Sequence, residues 1–127
     1  VQLQIGQRIW LPDVQAYLTA QIVDAAGKDT ENCVYFDYDK LPIPLVCRTR
    51  QPGDIIQPSG MQGTKKMQDY FTDAKIARSR RDVWPLVCVH NTVLWVCGKR
   101  KSAKYAVEED TKHILKLTYE VKEHENG

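Results

Sequence analysis

Residues 63–74 read Gly63-Thr64-Lys65-Lys66-Met67-Gln68-Asp69-Tyr70-Phe71-Thr72-Asp73-Ala74, and the reading of this stretch decides the fold. Met67, Tyr70, Phe71 and Ala74 fall at i, i+3, i+4 and i+7, one apolar stripe along a helix of 3.6-residue period. Lys65, Lys66, Asp69, Thr72 and Asp73 lie off the stripe, toward solvent. Thr64 stands where an N-cap would. A second short helix is predicted over Arg78–Val83, stopped by Pro85, whose ring cannot continue a helix.

Outward from this centre the signals are those of strands. On the C-terminal side Leu86–Val89 and Val93–Cys97 are short apolar runs joined by a tight turn at His90-Asn91-Thr92. Further on, His113–Val121 alternates Ile114, Lys116 and Thr118 against Leu115, Leu117 and Tyr119, the period of a half-buried strand. The polar tail His124–Gly127 is expected to fray. On the N-terminal side, Pro42 and Pro44 disfavour helix before them and lead an extended chain into a strand at Leu45–Arg50. Gln51-Pro52-Gly53-Asp54 is a type II turn by composition, with Pro at i+1 and Gly at i+2. Strands are also expected at Ile5–Leu11, Tyr17–Val23 and Cys33–Phe36, broken by Pro12-Asp13 and Ala26-Gly27-Lys28-Asp29. The fold class is therefore α+β: mostly antiparallel strands with a central helical insertion.

The 127 residues suit one domain, 43% hydrophobic and 27% charged, with no low-complexity block. Residues 1–40 are open to two readings, part of the core or a link to a preceding domain. A start at Val1, without a signal-type pattern, reads as a piece of something longer. No apolar run approaches bilayer-spanning length. Cys33, Cys47, Cys88 and Cys97 are widely spaced, each in an apolar strand context, which fits reduced core thiols better than zinc ligation. That places the protein in the cytoplasm. The net charge of +2 says little, but its distribution says more. Residues 1–47 carry three basic and six acidic side chains, 48–81 eight basic and three acidic, and 82–127 seven of each. The middle third is the candidate anion-facing surface.

That middle third also carries a long pattern. It runs Arg48-x-Arg50-x-x-Gly53-Asp54-x-x-x-Pro58-x-Gly60-Met61-x-Gly63-Thr64-Lys65-Lys66-Met67-x-Asp69-Tyr70-Phe71, then Asp73-x-Lys75-Ile76. It continues Arg81-Asp82-x-x-Pro85-Leu86-Val87 and ends Trp95-Val96-x-Gly98-x-Arg100. Dense from about Asp37 to Arg100, the pattern strongly resembles the C-terminal domain of bacterial tRNA(Ile)-lysidine synthetases. One departure is Ala77, where that family usually has proline. The resemblance implies a fold similar to a module of the phenylalanyl-tRNA synthetase β chain. It further implies a parent ligase whose N-terminal catalytic domain uses ATP, with magnesium, to adenylate the anticodon cytidine. Lysine then displaces AMP to give lysidine, while the C-terminal domain holds the acceptor stem of tRNA(Ile). By that resemblance this chain is non-catalytic and carries no cofactor of its own.

The residues agree with that division. A phosphate-cradling loop needs clustered glycines ahead of a helix so that backbone N–H groups can approach the phosphates. Gly60 and Gly63, separated by Met61-Gln62, come nearest. The three histidines have no partner at ligand or triad spacing. An independent enzyme would need a Cys-His or carboxylate site that the sequence does not display. A protein–protein interaction domain without RNA contact, docking through the acidic first third, is the other alternative.

The candidate RNA contacts are Lys65, Lys66, Arg78, Arg80, Arg50, Arg81 and Arg100. Lys65 and Lys66 are read as opening the helix, where its dipole disfavours cations unless an anion joins them. The bland alternative is a solvated helix face. Arg78, Arg80 and Arg81 repel one another within one turn unless answered by an anion or by Asp82, which most simply pairs with Arg81. Arg48 and Arg50 share a strand face. Asp54 across the turn could pair with either of them; Arg48 is read as loop support and Arg50 as open to RNA. The run Lys99-Arg100-Lys101 is a loop-borne charge cluster, weak by itself. Tyr70, Phe71, Trp84 and Trp95 fall on apolar faces, which argues for core packing and against the exposed rings that read splayed bases.

Overall fold

The computed structural model describes residues 1–122, so the expected fraying of His124–Gly127 lies outside the described residues. Two sheets carry the fold. The first is β1 (Arg8–Leu11), β2 (Ala16–Val23), β10 (Ile114–Val121) and β3 (Cys33–Asp37), in the order β1-β2-β10-β3 with every pairing antiparallel. The second holds β4 (Val46–Arg48), β7 (Leu86–Val89), β8 (Thr92–Val96), β5 (Ile55–Ile56) and β6 (Lys65–Lys66), in the order β4-β7-β8-β5-β6. A short β9 (Arg100–Lys101) also pairs with β8. Only the β5–β8 pairing is parallel among the described strands.

Alternation explains how one sheet serves two cores. Along β7, Val87 and Val89 point into the space between the sheets, while Leu86 and Cys88 point to the opposite face. On β8 the alternation is interrupted: Leu94 and Trp95, neighbours in sequence, both enter the space between the sheets. The cause is a register shift between Val87 and Cys88, which pairs Val87 with Trp95 and Cys88 with Val93 and leaves Leu94 over as the extra residue of a bulge. From the first sheet Ala16, Leu18, Ala20, Val34, Phe36, Leu115, Leu117 and Tyr119 meet these side chains. Residues 8–37 thus supply three of the four strands of that sheet and part of its core.

The outer face of the second sheet takes the helical layer. Helix α1 (Met67–Asp73) lays Met67, Tyr70 and Phe71 onto Ile56, Leu86, Cys88, Val93 and Val96, with Ile76 closing the end. The predicted stripe holds for its first three members. Ala74 is a correction: it is the C-cap and exposed. The helix stops one residue earlier because Lys75 turns left-handed at φ +57, and the amides of Lys75 and Ile76 donate back to Thr72 O and Phe71 O. That is a Schellman ending with lysine in the position usually given to glycine, followed by an apolar residue that packs back onto Phe71. The start is also corrected. Lys65 and Lys66 belong to strand β6, paired with Ile56 and Ile55, and the N-cap is Lys66 without a side-chain cap. Thr64 caps nothing. A second helix, α2, covers Arg78–Arg81.

The thiols of Cys47, Cys88 and Cys97 are buried and unbridged, and Cys33 is half-buried. Burial pushes the Cys47 thiol up to about 11 and that of Cys88 up to about 12, because a thiolate would have to shed its water. Among the described residues no helix is long and apolar enough to cross a membrane. Nor do any three His, Cys, Asp or Glu side chains gather there as metal ligands.

Candidate nucleic-acid interface

The groove begins at the turn 51–54. Gly53 takes φ +87, and the Asp54 amide donates to Gln51 O at 3.2 Å, as the composition of the turn predicts. The Asp54 carboxylate is then used up inside the protein. It accepts two parallel bonds from Arg48, at 2.7 and 2.8 Å, and one from the Gln51 amide at 2.7 Å. Arg48 donates further to the carbonyls of Thr49 and His90, which ties β4 to the β7–β8 turn. Its hydrogen bonds to Asp54 raise its pKa, outweighing the cost of burial. Arg48 therefore supports the loop, as its position across the turn suggests. The carbonyl of Asp54 accepts the Met67 amide at 3.0 Å, so the start of α1 is held by protein.

Next to this knot lies an open groove of about 980 Å³ between the turn, the start of α1 and helix α2. Four of the seven candidate contacts line it: Arg50, Lys66, Arg78 and Arg81. The four differ in how much of their charge is already answered. Arg81 donates from Nε to Ile76 O at 2.8 Å and from one terminal nitrogen to Thr72 Oγ1 at 3.4 Å, which anchors α2 to the end of α1. Arg50 pairs with Asp82 at 3.0 Å and lies 5.7 Å from the Phe71 ring centroid. The expected Asp82–Arg81 pair is thus replaced. Arg81 turns inward to the Ile76 carbonyl and the Thr72 hydroxyl at the end of α1, and Asp82 pairs with Arg50 instead. Lys66 and Arg78 make no hydrogen bond or ion pair among the described residues.

The other three candidates lie elsewhere. Lys65 is ion-paired with Asp73, one strand residue away from Lys66 and on the opposite side of β6. Arg100 donates to Ser59 O at 2.9 Å and sits beside the Tyr70 hydroxyl, whose pKa burial raises and Arg100 draws back. Arg80 leaves the groove altogether and lies 5.3 Å from the centroid of Trp84. Strand β9 corrects the loop reading of residues 99–101. Lys101 is 8% exposed and donates to Asp29 at 2.9 Å and to Tyr35 O at 2.7 Å, stitching the two sheets together. A charge run in sequence hides such a difference, because it gives no sign of which ammonium is inside.

Fold and groove together define a class: a sandwich of two mostly antiparallel sheets, one of which carries a helical layer that presents a cation-lined groove. The comparisons give the family. Residues 45–118 match the family described as "TilS substrate C-terminal domain", and the chain belongs to it. It is 42% identical over 121 residues to a tRNA(Ile)-lysidine synthase of Clostridium tetani, covering 93% of this chain and 26% of that protein. The figures for a tRNA(Ile)-lysidine synthase of Caldanaerobacter subterraneus are 39% over 104 residues, covering 79% and 22%. The chain thus spans about a quarter of the length of these curated relatives. Among solved structures, one described as a crystal structure of the TILS C-terminal domain superposes with a TM-score of 0.84 at 29% identity, covering 96% of this chain and 95% of that one. The α+β class and the family resemblance carried by the central pattern both stand.

Proposed function

We propose that this chain is the acceptor-stem-binding domain of a tRNA(Ile)-lysidine synthase, with its groove seated on the phosphate backbone of the stem. The observation that carries the reading is the pair Lys66 and Arg78, unanswered cations that line one open groove. Exposed cations at hydrogen-bonding distance from no carboxylate are suited to phosphate, and a duplex end read through phosphates and 2′-hydroxyls needs no aromatic platform in the groove. Lys66 and Arg78 would bind the backbone first. Arg81 would add its remaining nitrogen, and Arg50 would exchange Asp82 for a phosphate. Lys65 and Arg100, which do not line the groove, would serve a backbone that runs beyond its edges.

In this reading the chemistry belongs to the rest of the parent enzyme: ATP, with magnesium, activates the anticodon cytidine, and lysine displaces AMP. The domain supplies selection of the substrate by holding its far end, in the cytoplasm where tRNA is modified. The alternative is a protein-docking domain using the acidic first third. Amide chemical-shift mapping with an acceptor-stem minihelix tests one against the other. Shifts centred on residues 50, 66, 78 and 81 are expected. Binding whose shifts lie only on β1–β3, or no binding at low salt, would contradict the proposal.

A further inference from the structure

Helix α2 splits its arginines. Arg78 and Arg81 face the groove, whereas Arg80 turns the other way, onto Trp84. Lys99 reaches the same ring, its ammonium likewise 5.3 Å from the Trp84 centroid. Neither cation makes a hydrogen bond or ion pair among the described residues, and both are exposed. The ring they share is half-buried. Its Nε1 donates to Cys97 O at 3.0 Å and its inner part packs on the helical core, so it cannot swing away. The backbone of Lys99 is also held in place. Its amide donates to Val96 O at 2.8 Å in a turn that requires Gly98, at φ +75 and with room for no side chain: a Cβ there would stand 2.9 Å from the Tyr119 ring.

A pinned, half-buried indole with two unanswered cations beside it is what recognition of an unpaired nucleotide uses: a π surface for the base and positive charge for the flanking phosphates. The sequence pattern puts Trp84 on an apolar face and so argues against this. The fold leaves the ring only half-buried and brings Lys99, fifteen residues later, to meet it. We propose that Trp84, Arg80 and Lys99 form a second subsite, separate from the groove, that takes a single-stranded nucleotide extending from the end of the bound duplex. The inference rests on the duplex-binding reading of the groove for its geometry, since α2 is the wall shared by both.

The test compares two RNA minihelices, one blunt and one with a single-stranded 3′ extension, and a short single-stranded oligonucleotide alone. The chain is expected to bind the extended minihelix roughly 5- to 100-fold more tightly than the blunt one, the range that stacking of one base supplies. In Arg80→Gln/Lys99→Gln, whose side chains lie outside the core, that ratio should fall toward one. Trp84→Leu should do the same, with a melting curve to show that it still folds. A variant that weakens blunt and extended RNA by the same factor would reduce the two cations to general electrostatics and overturn the subsite. Equal binding of both minihelices by the unaltered chain would overturn it too, while leaving the groove reading intact. Binding of the single strand with no binding of the blunt duplex would overturn the groove reading and, with it, the placement of the subsite at the end of a bound duplex. No binding of any of the three RNAs would end both.

Discussion

The seam between the two sheets and the rim of the groove contain the same kinds of residue and use them in opposite ways. At the seam every cation is answered: Lys101 by Asp29 and Tyr35 O, and just beside it Arg48 by Asp54 and two carbonyls. At the rim Lys66 and Arg78 are answered by no carboxylate among the described residues, and Arg50 by one that is 77% exposed; Arg80 and Lys99, outside the groove, are likewise unanswered. A buried charge must be paired because removing it from water costs several kcal/mol, whereas an exposed charge keeps its water and needs no partner. Unpaired charge is therefore tolerated only where the fold does not depend on it. The rim can be given over to a ligand because the knot behind it is complete.

The largest expected effect comes from opening that knot. Asp54→Ala strands Arg48, 15% exposed, and releases the Gln51 amide and its turn, so stability in urea should fall by about 3–5 kcal/mol. A loss below roughly 1 kcal/mol would place the pair among weak surface bridges and erase the contrast. The second effect concerns the thiols. Cys47 and Cys88 have folded pKa values of about 11 and about 12, raised by burial above a value near 9 in the open chain. Between those limits the folded protein holds protons that the unfolded chain releases. Stability is therefore full below pH ~9 and falls as pH rises through 11–12, by roughly 1 kcal/mol per buried thiol one pH unit above the lower value. A urea series from pH 7 to 10.5 checks the sign. Cys88→Ala should start lower and decline less on the way up, and an unchanged slope would show that the thiol takes no part. The smallest effect is at Ala77, the N-cap of α2. Its φ of −57° already fits a pyrrolidine ring, so Ala77→Pro should raise stability by about 0.4–1 kcal/mol through the unfolded chain. Destabilisation instead would mean that residue 76 cannot accept a following proline.

What is legible in the sequence follows local periodicity. Long strands, the turn at 51–54 and the buried face of α1 are written in spacing and turn chemistry, and each lies within a few residues of its expected place. The two-residue strands β5, β6 and β9 are not written there, since a pair of residues has no period. Lys65-Lys66 looks helical only because it adjoins a helix. The groove is legible as a charge excess over residues 48–81, but its walls are not. That Arg50, Lys66, Arg78 and Arg81 converge while Lys65, Arg80 and Arg100 do not depends on the Schellman turn at Lys75 and the direction of α2, neither of which sequence spacing reports. Trp84 packs on the helical core as its apolar neighbourhood suggests, but an apolar neighbourhood does not report that the ring stays half-buried and meets Arg80 and Lys99.

The central claim is that the rim's cations are held for phosphate and contribute nothing to folding. The most direct measurement is a salt titration of minihelix affinity for the unaltered chain and for Lys66→Ala/Arg78→Ala, with thermal melts in parallel. The account predicts a melting temperature within a degree or two and affinity lowered alike for every stem sequence. It also predicts a slope of log affinity against log salt flattened by about 0.7–0.9 for each phosphate that is no longer neutralised. Unchanged affinity and slope, or a collapse of the melting temperature, would contradict it.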